Sequence, residues 1–151
     1  MRNPAKPSLV VALPLAFAGG AIGTGLRVAA HWLGDALHVG PWISTLCVNV
    51  VASFIAGFLG RLLLGHLTRQ QALAVEVVDP YEAQAHRNAM LLITGFCGGL
   101  STFSALGLEL HDLIRSQHVL ESTIAAALSV VIGLLAAWSG LWLGMRLNRH
   151  R

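Results

Sequence analysis

Thr94-Gly95-Phe96-Cys97-Gly98-Gly99-Leu100-Ser101-Thr102-Phe103-Ser104 sets two adjacent glycines and a run of hydroxyls midway along an apolar segment, roughly Ala89 to Leu110. Lipid gives the main chain no water to bond, so such residues at that depth signal a helix that breaks where it faces protein or a wet cavity. A break frees amide hydrogens and carbonyl oxygens to serve as ion ligands, as in the discontinuous helices of transporters. The competing reading is an unbroken helix made glycine-rich for close packing.

The residues around this stretch decide the solvent. The chain has 151 residues, 55% hydrophobic and 11% charged, with a mean hydropathy of +0.67, whereas an ordinary soluble domain carries about 25% charged residues. The apolar residues fall into four blocks, about Ser8 to Leu26, Trp42 to Leu64, Ala89 to Leu110 and Ser122 to Met145. Each is close to the roughly 20 helical residues that cross a hydrocarbon core of about 30 Å. The expectation is an all-α integral membrane protein, a single unit over residues 1–151 with four transmembrane helices, the third broken at mid-membrane. Arg2 and Lys6 ahead of a run ending in Ala16-Phe17-Ala18 also resemble a secretory signal. The run continues through Gly19-Gly20-Ala21-Ile22-Gly23, however, and outlasts a typical signal core.

Gly19, Gly20, Gly23 and Gly25 have no strand before them, so they read as a helix-packing surface rather than a phosphate loop. Gly140 and Gly144 form a second small-residue pattern in the fourth block. Cys47 and Cys97 form no C-x-x-C pair, the seven histidines show no metal-ligand spacing, and no catalytic constellation points to an enzyme. Asn49 is the most polar side chain well inside a span, and Thr45 and Ser53, four residues to either side, share its helical face. Such a face must meet protein or water, because a bare amide in lipid is costly. Arg27, at the end of the first block, either snorkels to the headgroups or draws anions to a vestibule.

As drawn, no block holds an acidic side chain away from its ends, which argues against a proton-coupled pump. The interior offers uncharged donors instead: Thr45, Asn49, Ser101, Thr102, Ser104 and Ser129. Phe103 adds a ring with a positive edge. Donors without fixed negative charge suit an anion. Lys and Arg favour the cytoplasmic side; Arg2, Lys6, Arg61, Arg69, Arg87, Arg146, Arg149 and Arg151 fall on one side, Arg27 and Arg115 on the other. Both termini are therefore expected inside, in a plasma (inner) membrane, with lipid rather than nucleic acid as the surrounding partner.

Three ordered motifs now carry a resemblance: Gly-Gly-x-x-Gly-x-x-x-Arg over Gly19 to Arg27, Thr-x-x-Val-Asn over Thr45 to Asn49, and Gly-Phe-x-Gly-Gly-x-Ser-Thr-Phe-Ser over Gly95 to Ser104. Together they resemble the CrcB/Fluc fluoride channel family, over essentially the whole chain. The resemblance implies a dual-topology antiparallel dimer with two fluoride pores along its interface, passing the ion out of the cytoplasm by passive conduction. It implies pore roles for Asn49, Phe103, Ser104, Thr45, Thr102 and Ser129, and a vestibule role for Arg27. It also implies a structural sodium ion (Na+) at the dimer centre, held by the backbone carbonyls of Gly98 and Ser101.

Three departures accompany it. A second pore phenylalanine would fall at Leu106, and a fourth-helix tyrosine at Ala125, so the aromatic lining is incomplete. The charge bias is stronger than a subunit inserting both ways should carry. Two other readings therefore stand beside a homodimer: one half of an obligate pair of oppositely oriented homologues, and a tetraspan assembly protein that transports nothing.

Overall fold

A computed structural model describes residues 8–64 and 80–148. Among these, four helical spans are long and apolar enough to cross a membrane: Leu9–Ala36, Pro41–Leu63, Ala83–Arg115 and Val119–Asn148. The chain is a multi-pass, all-α membrane protein. The apolar content of Gln70 to Val78 suggests a short amphipathic stretch at the surface, but these residues lie outside the described ones.

The first helix, α1 (Leu9–Ala36), carries Pro14 inside it. It runs nine residues past Arg27, so the apolar block is shorter than the helix that contains it. A 28-residue helix is about 42 Å long, more than the roughly 30 Å core requires. The chain then reverses through His38, whose φ of 57° is left-handed. Pro41 starts α2 (Pro41–Leu59) at a position where its missing N–H costs nothing. The end of α2 widens into a π-type stretch, Gly60–Leu64.

The third span begins earlier than its apolar block. Pro80 opens α3 (Pro80–Ala89), where hydropathy alone leaves a loop. Polar pairs at helical spacing hold it, Arg87 to Gln84 at 2.7 Å and Gln84 to Asn88 at 3.0 Å. It passes into eight π-type residues, Met90–Cys97, then a last turn, Gly98–Leu100. Ser101 (φ −74°, ψ 154°) and Thr102 (φ −152°, ψ 128°) are extended. Helix resumes as α4 (Phe103–Arg115), a second left-handed residue, Gln117, turns the chain, and α5 (Val119–Asn148) completes the bundle.

Close packing comes from absent side chains. Lipid tails are as apolar as leucine, so helices in a bilayer associate through tight contact rather than water exclusion. A Cβ on Gly19 would strike the Leu91 carbonyl, and one on Gly23 the Phe96 carbonyl; from the other side, a Cβ on Gly95 would lie 2.6 Å from the Ala16 carbonyl oxygen. α1 and the first half of the third span thus meet backbone to backbone. Gly57 against Ala137 and Gly140 against Phe54 make an equivalent seam between α2 and α5. The buried apolar centre is small, Val48, Ala52 and Leu100 with Ala30 and Phe96 against them. Large side chains such as Phe17, Ile22 and Trp138 point outward, as lipid-facing positions should.

The break lets the third span change partners. Its first half packs on α1, whereas α4 packs on α5 and α2. Ser122 Oγ donates to the Leu110 carbonyl at 3.0 Å, which ties α5 to α4 beyond the crossover.

Candidate functional site

Two extended residues between helices leave main-chain groups without helical partners, and Asn49 answers them. Its Nδ2 donates to the Thr102 carbonyl at 2.9 Å, and its Oδ1 accepts from the Thr102 N–H at 2.7 Å. The amide imitates a neighbouring backbone strand. Because the Thr102 N–H points to Asn49, the Gly98 carbonyl four residues back loses its usual helical donor. Thr102 also caps α4, its Oγ1 accepting from the Ala105 N–H at 3.2 Å, the preferred chemistry for a helix start. The hydroxyl of Ser104 lies 3.2 Å from that of Thr102. Thr24 on α1 donates to the Gly99 carbonyl at 3.4 Å.

Around this point the sequence-derived residues divide. Asn49, Thr102, Ser104 and Phe103 come together at the break. Phe103 is 85% exposed on the subunit, and Gly98 is exposed beside the half-buried Ser101. Such a ring, next to main-chain groups held out of a helix, faces outward from the bundle. Ser129 sits on α5 with its hydroxyl donating to the Ala125 carbonyl of its own helix at 2.7 Å. Arg27 is half-buried on α1. Leu106 and Ala125, the two departures from the aromatic pattern, are 6% and 0% exposed; both are packed inside the subunit.

Thr45 is fully buried, at 0% exposure, and its hydrogen is committed elsewhere. Its Oγ1 donates to Glu109 Oε1 at 2.6 Å and lies 3.4 Å from His31 Nε2. Sequence reasoning missed this cluster because it put Glu109 at the end of the third block and His31 beyond the first. The helices run on past both, to Arg115 and Ala36, so an acidic side chain does enter the bundle. The available signal was the four-residue spacing of Arg27 and His31, which puts both on one face of α1.

Among the described residues no group of His, Cys, Asp and Glu is arranged to hold a metal ion. Near the break, oxygen ligands for a hard monovalent cation come from the main chain. The Gly98 carbonyl, without its helical donor and at an exposed residue, fits such an ion, and the extended Ser101 adds a second carbonyl outside helical pairing.

These features define a class: a four-span helical membrane protein whose third span is interrupted, with the break held by an amide from the second. A family model described as CrcB-like protein, Camphor Resistance (CrcB), matches residues 14–141, and the chain belongs to that family. Among its relatives is the fluoride-specific ion channel FluC of Pseudomonas fluorescens, 39% identical over 125 residues that cover 82% of this chain and 89% of the relative. The FluC of Leptospira interrogans is 32% identical over 143 residues, 93% of this chain and 96% of the relative. That of Hyphomonas neptunium is 35% identical over 134 residues, 85% and 91% of the two chains.

Proposed function

We propose that the chain is a subunit of a fluoride-specific channel that lets the ion leave the cytoplasm down its gradient and so lowers fluoride toxicity. The relatives, fluoride-specific ion channels, support this, and the observation that carries it is the two-bond grip of Asn49 on Thr102, which holds donors beside an exposed aromatic ring. Nothing is chemically transformed, so the protein is not an enzyme.

Fluoride is small and strongly hydrated. A route for it must replace water with donors spaced too closely for chloride, the same logic by which other channels select through their lining. Asn49 has two amide hydrogens and uses one on Thr102, which leaves the second for an anion. Thr102 and Ser104 have two hydroxyl hydrogens between them and one mutual bond, so one hydrogen is again free. Phe103 offers ring hydrogens at the positive rim of its quadrupole. The hydroxyls of Thr45 and Ser129 are already engaged within the subunit and contribute less directly, while Arg27 raises the local anion concentration at the mouth.

The working unit is an antiparallel pair in the plasma membrane, and the exposed face bearing Phe103 and Gly98 supports a second subunit there. A sodium ion between the two would be held by the Gly98 and Ser101 carbonyls and would supply positive charge that pins the two breaks together. The Lys/Arg asymmetry favours one further version, in which the partner is an oppositely oriented homologue rather than a second copy.

The test is fluoride efflux from proteoliposomes made with the purified chain, followed by an ion-selective electrode beside a chloride control. Fluoride flux without chloride flux is the expected result. Flux that depends on a counter-ion gradient would make the protein an exchanger, and no flux even with an oppositely oriented homologue would leave it a packing protein.

A further inference from the structure

The channel reading leaves Arg61 unused. It lies in the π-type stretch Gly60–Leu64 that ends the second span, and it is half-buried. Its guanidinium Nε is enclosed and has no hydrogen-bond partner among the described residues. The enclosure comes from α5, where a Cβ on Gly144 would lie 2.9 Å and 3.2 Å from the Arg61 Cβ and Cγ. Gly144 is therefore a notch that receives the arginine stem at the end of the α2 and α5 seam. A guanidinium does not give up its proton in a protein, so Arg61 cannot shed its charge and needs an acceptor.

The surroundings are mainly basic. Gly60–Leu64 packs on α2, α3 and α5. α2 carries no charged residue. At this end of α5 stands Arg146, about 3 Å further along the axis than Gly144. Its guanidinium carbon lies 3.9 Å from the centre of the Trp142 ring, and both side chains are exposed. α3 brings the exposed Arg87, engaged with Gln84, and one acid, Glu82, in its first turn. Three arginines thus gather at one end of helices long enough to cross a membrane, and tryptophan favours the depth at which lipid headgroups lie.

We infer that Arg61, seated in the Gly144 notch, binds the phosphate of an anionic phospholipid, with Arg146 as a second cation beside it. The inference does not depend on ion conduction. The Nε–H and a neighbouring Nη–H of an arginine form a planar fork that matches two phosphate oxygens. A zwitterionic headgroup would bring its own cation among the arginines, whereas an anionic one would not. Leu143 and Leu147 flank Gly144 and are exposed; they give acyl chains an apolar wall that a free phosphate would leave unused.

Native mass spectrometry of the purified chain in detergent, with phosphatidylglycerol, phosphatidylcholine or inorganic phosphate added, tests the site without any flux. Phosphatidylglycerol should be retained about fivefold more tightly than phosphatidylcholine, the weight of roughly one arginine at a charged membrane surface. Arg61→Gln should erase that preference, and Arg61→Lys, a point charge without the fork, should keep only part of it. Gly144→Ala leaves the net charge alone but fills the notch, so it should weaken the preference as well. Should Arg61→Gln fail to fold, Arg61→Lys carries the comparison.

Equal retention of the two lipids by the wild type, or an undiminished preference in the Arg61 variants, overturns the site. A preference untouched by Gly144→Ala reduces it to general charge attraction and overturns the notch. Inorganic phosphate that displaces phosphatidylglycerol as readily as the lipid itself would make the ligand a free anion and overturn the lipid assignment. Glu82→Gln should behave as the wild type; a rise in lipid retention there would show Glu82 to be the partner of Arg61 and overturn it too.

Discussion

Asn49 and Thr102, 53 positions apart in the chain, are joined by two antiparallel hydrogen bonds of 2.9 Å and 2.7 Å between a side-chain amide and a main-chain peptide. One residue of the second span thereby satisfies both main-chain groups of Thr102 at the break in the third. In a medium without water, each such group left unpaired costs several kcal/mol on its own.

Asn49→Asp keeps an acceptor for the Thr102 N–H but loses the donor to its carbonyl and adds a negative charge beside the proposed route. Fluoride flux in proteoliposomes should be abolished. Asn49→Ala should also lower thermal stability in detergent, by about 1–3 kcal/mol for each backbone group left unpaired.

Phe103→Ile removes the ring while leaving the subunit's interior untouched, since the side chain is 85% exposed there. Fluoride efflux should fall with little change in the melting temperature of the isolated subunit. Wild-type flux in this variant would remove the ring from the conduction route.

Gly23→Ala would drive a methyl into the Phe96 carbonyl, with backbone on both sides of the contact and no flexible side chain to give way. A destabilisation of about 1–3 kcal/mol, the usual cost of overpacking, should appear as a lower yield of monodisperse protein. Gly25→Ala is the control, because nothing lies within 4 Å of its added carbon, and it should behave as the wild type.

Ser129→Ala removes a hydroxyl that bonds only its own helix in the subunit, the Ala125 carbonyl. Stability should change by less than about 0.5 kcal/mol, and fluoride flux should stay close to wild type. A large loss of flux would mean that the hydroxyl turns away from Ala125 to meet the ion.

The four spans and their glycine seams were legible in the sequence because both follow from local rules. Hydropathy marks where lipid is, and glycines at helical spacing mark where backbones touch. Helix ends were less legible for the same reason: α1 continues through Arg27, His31 and Asp35, and α3 starts at Pro80, in stretches where hydropathy falls although the helix goes on. The glycine and hydroxyl run at Gly98 to Ser104 pointed to the region of the break, and Asn49 stood out as an amide in need of a partner. What no pattern revealed was who answers whom. Thr45 read as a neighbour of Asn49 on one helical face, yet its hydrogen goes to Glu109, 64 positions away. Pairings between distant elements leave no periodicity to read.

The interruption at Ser101 and Thr102 also governs the shape of the subunit. Upstream of it the third span is mated to α1 through glycines, and downstream it is mated to α5 and α2. A straight rod through that point would carry α4 away from the helices it rests on and leave Leu106 and Ser122 uncovered. The interruption is thus a joint between two sets of helix contacts, and a substitution that removed it would disturb the bundle before any question of ion passage arose.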